Sequence, residues 1–157
     1  MTGVIEARLK ELGLEVKEPA KAVANYVGYV TSGNMVFVSG QITAKDGEIL
    51  FKGKLGENMS VEEGQDAARL CGMNILAQLK AATGGNLDKV KRIVKLGGFV
   101  NSTPDFVDQP KVINGVSDLM VEVFGDKGVH ARAAVSAPSL PLGIAVEVDC
   151  VAEIEID

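Results

Sequence analysis

The segment from Ile144 to Asp157 constrains the fold more than any other stretch of this chain. Ile144, Val146, Val148, Cys150, Ala152, Ile154 and Ile156 alternate without a break with Ala145, Glu147, Asp149, Val151, Glu153, Glu155 and Asp157. Successive side chains of a strand point to opposite faces, so this period of two sets one apolar face into a core. The other face carries the acids Glu147, Asp149, Glu153, Glu155 and Asp157. The chain must therefore build a sheet, with a layer that covers the apolar side.

Candidates for that layer are two helices. Ser60 with Glu63 three residues on forms a capping box, and Ala67, Ala68, Cys71, Ile75, Leu79 and Ala82 follow at helical spacing up to Gly84-Gly85. The second carries Val112, Ile113, Val116, Leu119, Met120, Val123 and Phe124 as a one-sided stripe and closes at Gly125. Further strands are expected at Tyr26–Val30, Met35–Ile42, Lys89–Val100 and His130–Ala137. Thr31–Asn34 reads as a turn, and Lys45-Asp46-Gly47-Glu48 as a hairpin turn. Met35–Ile42 is apolar on consecutive positions and is expected to be buried on both faces. Ile5, Leu9 and Leu12 share a helical face that ends at Gly13, which predicts a short amphipathic helix outside the main fold.

The order of elements gives an α+β fold: a mixed β-sheet with two helices packed on one face. At 157 residues this is one domain, 1–157, with an N-terminal helical extension over about 1–20. Two helices cover one face only, so a symmetric homo-oligomer is expected to bury the other. A net charge of −5 and an aromatic content of 4% oppose nucleic-acid binding, which needs basic surface and exposed rings. Neither a signal-peptide core in MTGVIEARLK nor a membrane-length apolar run is present, so the expected location is cytoplasmic. Cys71 and Cys150 both fall on apolar faces and read as inert core residues.

No phosphate-binding glycine loop, nucleophile elbow or metal-binding helix motif is found. One residue stands out. Arg132 lies among alanines on its strand, which leaves room beside a guanidinium able to fork onto a carboxylate. The alternative is a structural ion pair with Glu147 or Asp149. His130, the single histidine, reads as structural or solvated.

His130-Ala131-Arg132-Ala133-Ala134-Val135, followed by Leu140 and Val146-Glu147-Val148-Asp149, resembles the C-terminal signature of the RidA/YjgF family of enamine/imine deaminases, also called L-PSP endoribonucleases. Gly33-Asn34-Met35-Val36-Phe37-Val38-Ser39-Gly40-Gln41-Ile42 resembles the family's N-terminal strand, and Asn25-Tyr26-Val27 and Val112-Ile113-Asn114 fall in the expected order. The resemblance runs from about residue 24 to 155 and marks a longer, divergent branch. It implies a chorismate-mutase-like homotrimer with sites between subunits, and no metal or organic cofactor.

Residue by residue, the resemblance implies that Arg132 grips the carboxylate of a 2-imino or 2-enamino acid. Asp149 stands at a position usually held by glutamate, which orients the attacking water or relays protons. Tyr26 and Asn114 line the pocket, and Ser39 and Gly40 contact ligand. Ala134 stands where the deaminase subgroup commonly has cysteine, and His130 where proline is usual. The activity implied is hydrolysis of reactive imines or enamines to 2-keto acids and ammonia. A non-catalytic trimer binding small keto or amino acids is the alternative, and an endoribonuclease a third.

Overall fold

The computed structural model describes residues 3–22 and 24–157. The elements are α1 (Val4–Glu11), β1 (Tyr29–Ser32), β2 (Met35–Gln41), β3 (Ala44–Lys45), β4 (Glu48–Ile49), α2 (Val61–Ala82), β5 (Val90–Asn101), α3 (Gln109–Phe124), β6 (Ala131–Ala137) and β7 (Val146–Ile154). Five strands form one sheet in the order β1-β2-β7-β5-β6, and β3 and β4 pair as a separate ribbon. Only β5 and β6 run parallel, joined across α3, which makes the sheet mixed. Among the described residues, no helix is long and apolar enough to cross a membrane.

β7 behaves as its alternation requires. Val146, Val148, Cys150, Ala152 and Ile154 are buried, and the intervening residues are half-exposed. The pattern stops at Ile154. Ile156 is 62% exposed, so of the five acids only Glu147, Asp149 and Glu153 lie on the strand itself. Both thiols are in the core, where burial pushes Cys150 up to about 12 and Cys71 higher still. They are unreactive at neutral pH.

The helical layer is α2 and α3. Ser60 and Glu63 close the capping box at the start of α2. Ala67, Ala68, Cys71, Ile75 and Leu79 of α2 share one core with Val112, Ile113, Val116, Leu119 and Met120 of α3. The two helices approach so closely at Gly115 that a Cβ there would stand 2.1 Å from the Gln65 carbonyl oxygen.

Three expectations are corrected. The N-terminal helix does not stand outside the fold: Ile5 and Leu9 are buried in the main core. Its N-cap is Gly3, which brings no side-chain acceptor. The Asp88 carboxylate supplies one instead, accepting from the Val4 and Ile5 N–H groups at 3.0 and 2.8 Å. A helix docked by its apolar stripe and capped from elsewhere in the chain is a third helix of the fold.

The first strand begins at Tyr29 and runs to Ser32, so the turn shrinks to Gly33-Asn34. Pairing of β1 with β2 extends only to Tyr29 opposite Val38, and the β2–β7 register shifts between Val38 and Gln41. There Ser39 takes over residues 27–28, donating its N–H to the Gly28 carbonyl and its hydroxyl to the Val27 carbonyl, at 2.9 and 2.6 Å. Tyr26 and Val27 are loop residues, and the Ser39 hydroxyl holds the Val27 carbonyl in place of a ladder.

β2 is not buried on both faces in the single chain. Val36 and Val38 enter the core, while Phe37 points away from the helices and is 49% exposed. Val30 and Val135 are exposed on the same side, which follows from their register with Phe37 and Phe99. A cavity of about 360 Å³ lies on this helix-free face, over Phe37, Lys95, Gly97, Phe99, Ala133 and Asp149.

Candidate functional site

The candidate residues fall into three places. Arg132, Asn114 and Ala134 come together where β6 meets α3. Tyr26, Ser39 and Gly40 meet at the end of β2. Asp149 sits on β7, on the helix-free face.

Arg132 is on the edge strand β6, in register with the core residue Leu96, so its side chain leaves on the helix side. Nη1 donates to Asn114 Oδ1 at 2.9 Å and to Ser117 Oγ at 3.0 Å, and Nη2 donates to the Pro110 carbonyl at 3.3 Å. Pro110, Asn114 and Ser117 are spaced i, i+4, i+7 along α3 and present a backbone carbonyl, an amide and a hydroxyl beside its apolar stripe. That spacing was legible as a helical face, but only the packing of α3 against β6 shows that it aims at the arginine.

A guanidinium has five N–H donors. With these bonds made, Nε–H and one Nη2–H have no acceptor among the described residues. Nε–H with a neighbouring Nη2–H is one of the forks through which a guanidinium takes a carboxylate by two parallel bonds. The structural ion pair considered from sequence does not form. β5 lies between β6 and β7, and both Glu147 and Asp149 project from the opposite face of the sheet. Ala134, two residues on, packs partly against the core on the same side as Arg132.

The β2 end is built around glycine. A Cβ on Gly40 would stand 2.2 Å from Glu147 Oε2, so the Glu147 carboxylate lies directly over Gly40. Tyr26 is 57% exposed in the adjoining loop that Ser39 secures. Asp149 repeats the arrangement on the other neighbour of β7: its Oδ1 would be 2.3 Å from a Cβ on Gly97. Each carboxylate thus occupies space that a side chain on the next strand would fill.

Both acids are held above the ordinary carboxylate range. For Glu147 the cause is burial, reinforced by the charge of Asp149. For Asp149 it is burial, partly offset by the Gly97 N–H and the charge of Lys95. Glu147 is the residue that sequence reasoning missed as a site candidate. Its signal was its place two residues before Asp149 on the same strand face, opposite Gly40 across the sheet.

A stability consequence follows, and its sign is the reverse of a salt-bridged acid. With a raised folded value, the folded chain keeps a proton that the unfolded chain has already released. Glu147 therefore opposes folding above its folded value, and the opposition fades as pH falls to the unfolded value. Glu147→Gln is expected to raise Tm at pH 7 relative to the unaltered chain, with the two curves converging below about pH 4. Thermal unfolding at both pH values checks this; a lower Tm at pH 7 would show that the carboxylate has a stabilising partner.

Among the described residues, no group of three or more His, Cys, Asp or Glu is placed to hold a metal ion. The chemistry on offer is anion capture by Arg132 and proton transfer by Asp149, which lines the 360 Å³ hollow, or by Glu147 over Gly40.

Comparison with known proteins bears on the family and the fold. The family described as "YjgF/chorismate_mutase-like, putative endoribonuclease" matches residues 6–154. Protein TCP17 of Trypanosoma cruzi is 47% identical over 154 residues, covering 98% of this chain and 96% of that protein. The crystal structure of Atu1372 from Agrobacterium tumefaciens, a protein of unknown function, superposes with a TM-score of 0.89 at 49% identity over 97% of this chain and 94% of that one. E. coli TdcF with bound serine superposes with a TM-score of 0.63 at 27% identity, covering 90% and 96%. With its mixed sheet, its helical layer and a match from the first helix to the last strand, this chain belongs to the YjgF/chorismate-mutase-like family.

Proposed function

We propose that this protein hydrolyses reactive 2-imino and 2-enamino acids to 2-keto acids and ammonia, in clefts completed by a second copy of the chain within a cyclic homotrimer. The observation that carries the reading is the open fork of Arg132, held by Asn114, Ser117 and Pro110 but paired with no acid among the described residues. In a 2-imino acid the carboxylate is bonded to the imine carbon. A fork on the carboxylate therefore fixes the carbon that water must attack.

Water adds to that carbon and gives one proton to a carboxylate base. That proton passes to nitrogen to give the carbinolamine. As the C–N bond breaks, the hydroxyl proton also passes to nitrogen through the carboxylate, releasing ammonia and leaving the keto acid. A 2-enamino acid enters as its imine tautomer, with a proton added at carbon and one lost from nitrogen. Imines need little more than orientation and a base, so no metal or organic cofactor is required. Asp149 is the proposed base, and Glu147, over Gly40 and next to the Ser39 and Tyr26 segment, is the second candidate. Their raised values make both better proton acceptors than an ordinary carboxylate.

The second copy is required because Arg132 and these acids leave opposite faces of one sheet. Strands β2 and β6 are also three spacings apart, about 14 Å at the usual interval. The exposed edge of β6 and the exposed Phe37, Val30 and Val135 offer surface for the neighbour. In a cyclic assembly each contact is head-to-tail, so the arginine of one copy can meet the acid of the next. Ser39, Gly40, Tyr26 and Asn114 would then line the cleft, with Ala134 beside the arginine.

The test is complementation. An amino-acid oxidase or a dehydratase generates the imine in situ, and its loss is followed with each variant alone and with co-refolded mixtures. Arg132→Ala and the inactive acid variant (Asp149→Asn or Glu147→Gln) are each expected to be silent. Mixed one to one, they restore about one quarter of the sites, because a site needs the intact arginine of one copy and the intact acid of the next. Loss of imine no faster with unaltered protein than in buffer would exclude hydrolysis for the substrates tried.

A second reading is a non-catalytic trimer that binds small keto or amino acids. The fork of Arg132 serves it equally, and it is favoured if pyruvate binds while the imine is untouched. A nuclease is opposed by the net charge of −5.

A further inference from the structure

The bonds around Arg132 continue past Ser117. His130 Nε2 lies 2.9 Å from Ser117 Oγ, and His130 Nδ1 lies 2.6 Å from the Gly128 carbonyl oxygen. A carbonyl only accepts, so Nδ1 carries the hydrogen and Nε2 of the neutral ring is an acceptor. The Ser117 hydroxyl must then donate to Nε2. Its lone pairs are turned toward Arg132, whose Nη1–H they receive at 3.0 Å. With the ring neutral, the polarity of the chain is set from end to end: guanidinium to hydroxyl, hydroxyl to imidazole, imidazole to backbone.

We propose that His130, acting through Ser117, is a positioning residue for Arg132 and sets the plane in which its carboxylate fork is presented. This rests on the carboxylate-binding reading of Arg132. The physical reason is the freedom of a serine rotor. A helical serine without an outside acceptor can turn its hydroxyl onto the carbonyl four residues back along its own helix. An acceptor at Nε2 holds it outward and leaves a lone pair for Nη1. Asn114 Oδ1 fixes the other Nη1–H, so the two bonds together stop rotation of the guanidinium. The open Nε and Nη2 edge then faces one direction before ligand arrives, and less ordering remains to be done on binding.

The experiment uses nitrogen NMR on the unaltered protein at about pH 8, above the ordinary histidine range, with pyruvate as the probe carboxylate. The expected spectrum has Nδ1 protonated and Nε2 bare, and shows restricted rotation of the Arg132 guanidinium. An Nε2–H tautomer overturns the proposal. His130→Ala and Ser117→Ala are expected to free that rotation and weaken pyruvate binding about tenfold, the size of one hydrogen bond to a charged group. His130→Gln, whose side-chain oxygen can replace Nε2 as acceptor, restores most of the loss, and His130→Asn, too short to reach, does not. Pyruvate binding that survives Arg132→Ala overturns the carboxylate site itself. Binding that is lost in Arg132→Ala but unchanged in His130→Ala overturns only the role of His130.

Discussion

Arg132→Ala is expected to lower kcat/KM for a 2-imino acid by about 10²- to 10³-fold, the cost of removing a forked pair of charge-assisted hydrogen bonds from a carboxylate. Fold and stability should change little. The side chain makes no ion pair among the described residues, and its three hydrogen bonds go to groups at the margin of α3. Arg132→Lys is expected to recover only a small part, since an ammonium keeps the charge but lacks the planar fork. The split between the constants is informative. If the fork mainly holds the substrate, KM rises; if it mainly aligns the imine carbon with water, kcat falls. Initial rates over a range of imine concentrations, with thermal unfolding as a control, measure both. Unchanged rates in a folded Arg132→Ala protein would remove the residue from the site.

Gly115→Ala is expected to destabilise the protein by about 1–3 kcal/mol, although helix propensity alone predicts a gain of about 1 kcal/mol. The contact decides the sign. The added carbon would stand 2.1 Å from the Gln65 carbonyl oxygen and 2.8 Å from its carbonyl carbon, which are backbone atoms of α2. No rotamer change relieves a clash with backbone, so α2 and α3 must move apart. Separation loosens Gly72 against Leu119 and Val116, and Gly64 against Val112, which are contacts of the same helix pair. For a chain of this length the expected fall in Tm is about 2–12 °C. A rise in Tm would mean that the crossing has slack. α3 also carries Asn114 next in sequence, so the variant is expected to weaken carboxylate binding as well.

The parts of the fold that were legible in sequence are those where one local rule acts alone. The capping box at Ser60 and the alternation after Ile144 needed no knowledge of neighbours. The turn at Asp46-Gly47 was equally plain, with both residues at positive φ. Misreadings arose where a remote residue substitutes for a local one. α1 is capped by Asp88, far along the chain, so its attachment to the core was invisible in its own sequence. Residues 26–28 have strand composition, yet Ser39 diverts them. At the site, Arg132 was conspicuous among alanines, whereas the meaning of Ser117 and His130 depended on how α3 lies across β6. The face to which Asp149 belongs could be read from its alternation. That this face is opposite to the one holding Arg132 required the strand order, with β5 between β6 and β7.

That strand order also bears on how the molecule comes into being. β7 is synthesised after the other four strands of its sheet, and it lies at the centre of that sheet, hydrogen-bonded to β2 on one side and β5 on the other. Until residues 146–154 exist, β1 with β2 and β5 with β6 are two separate pieces. Each exposes a strand edge that could pair wrongly, and α2 and α3 have no floor between them. Much of the sheet energy is therefore gained in one late step that spans most of the chain, a topology that favours slow closure. A lesion within β7 should leave a tethered pair of sheet fragments prone to clump during translation. Chaperone demand in cells should accordingly be highest for variants in or near β7, even where the residue altered is small and far from Arg132.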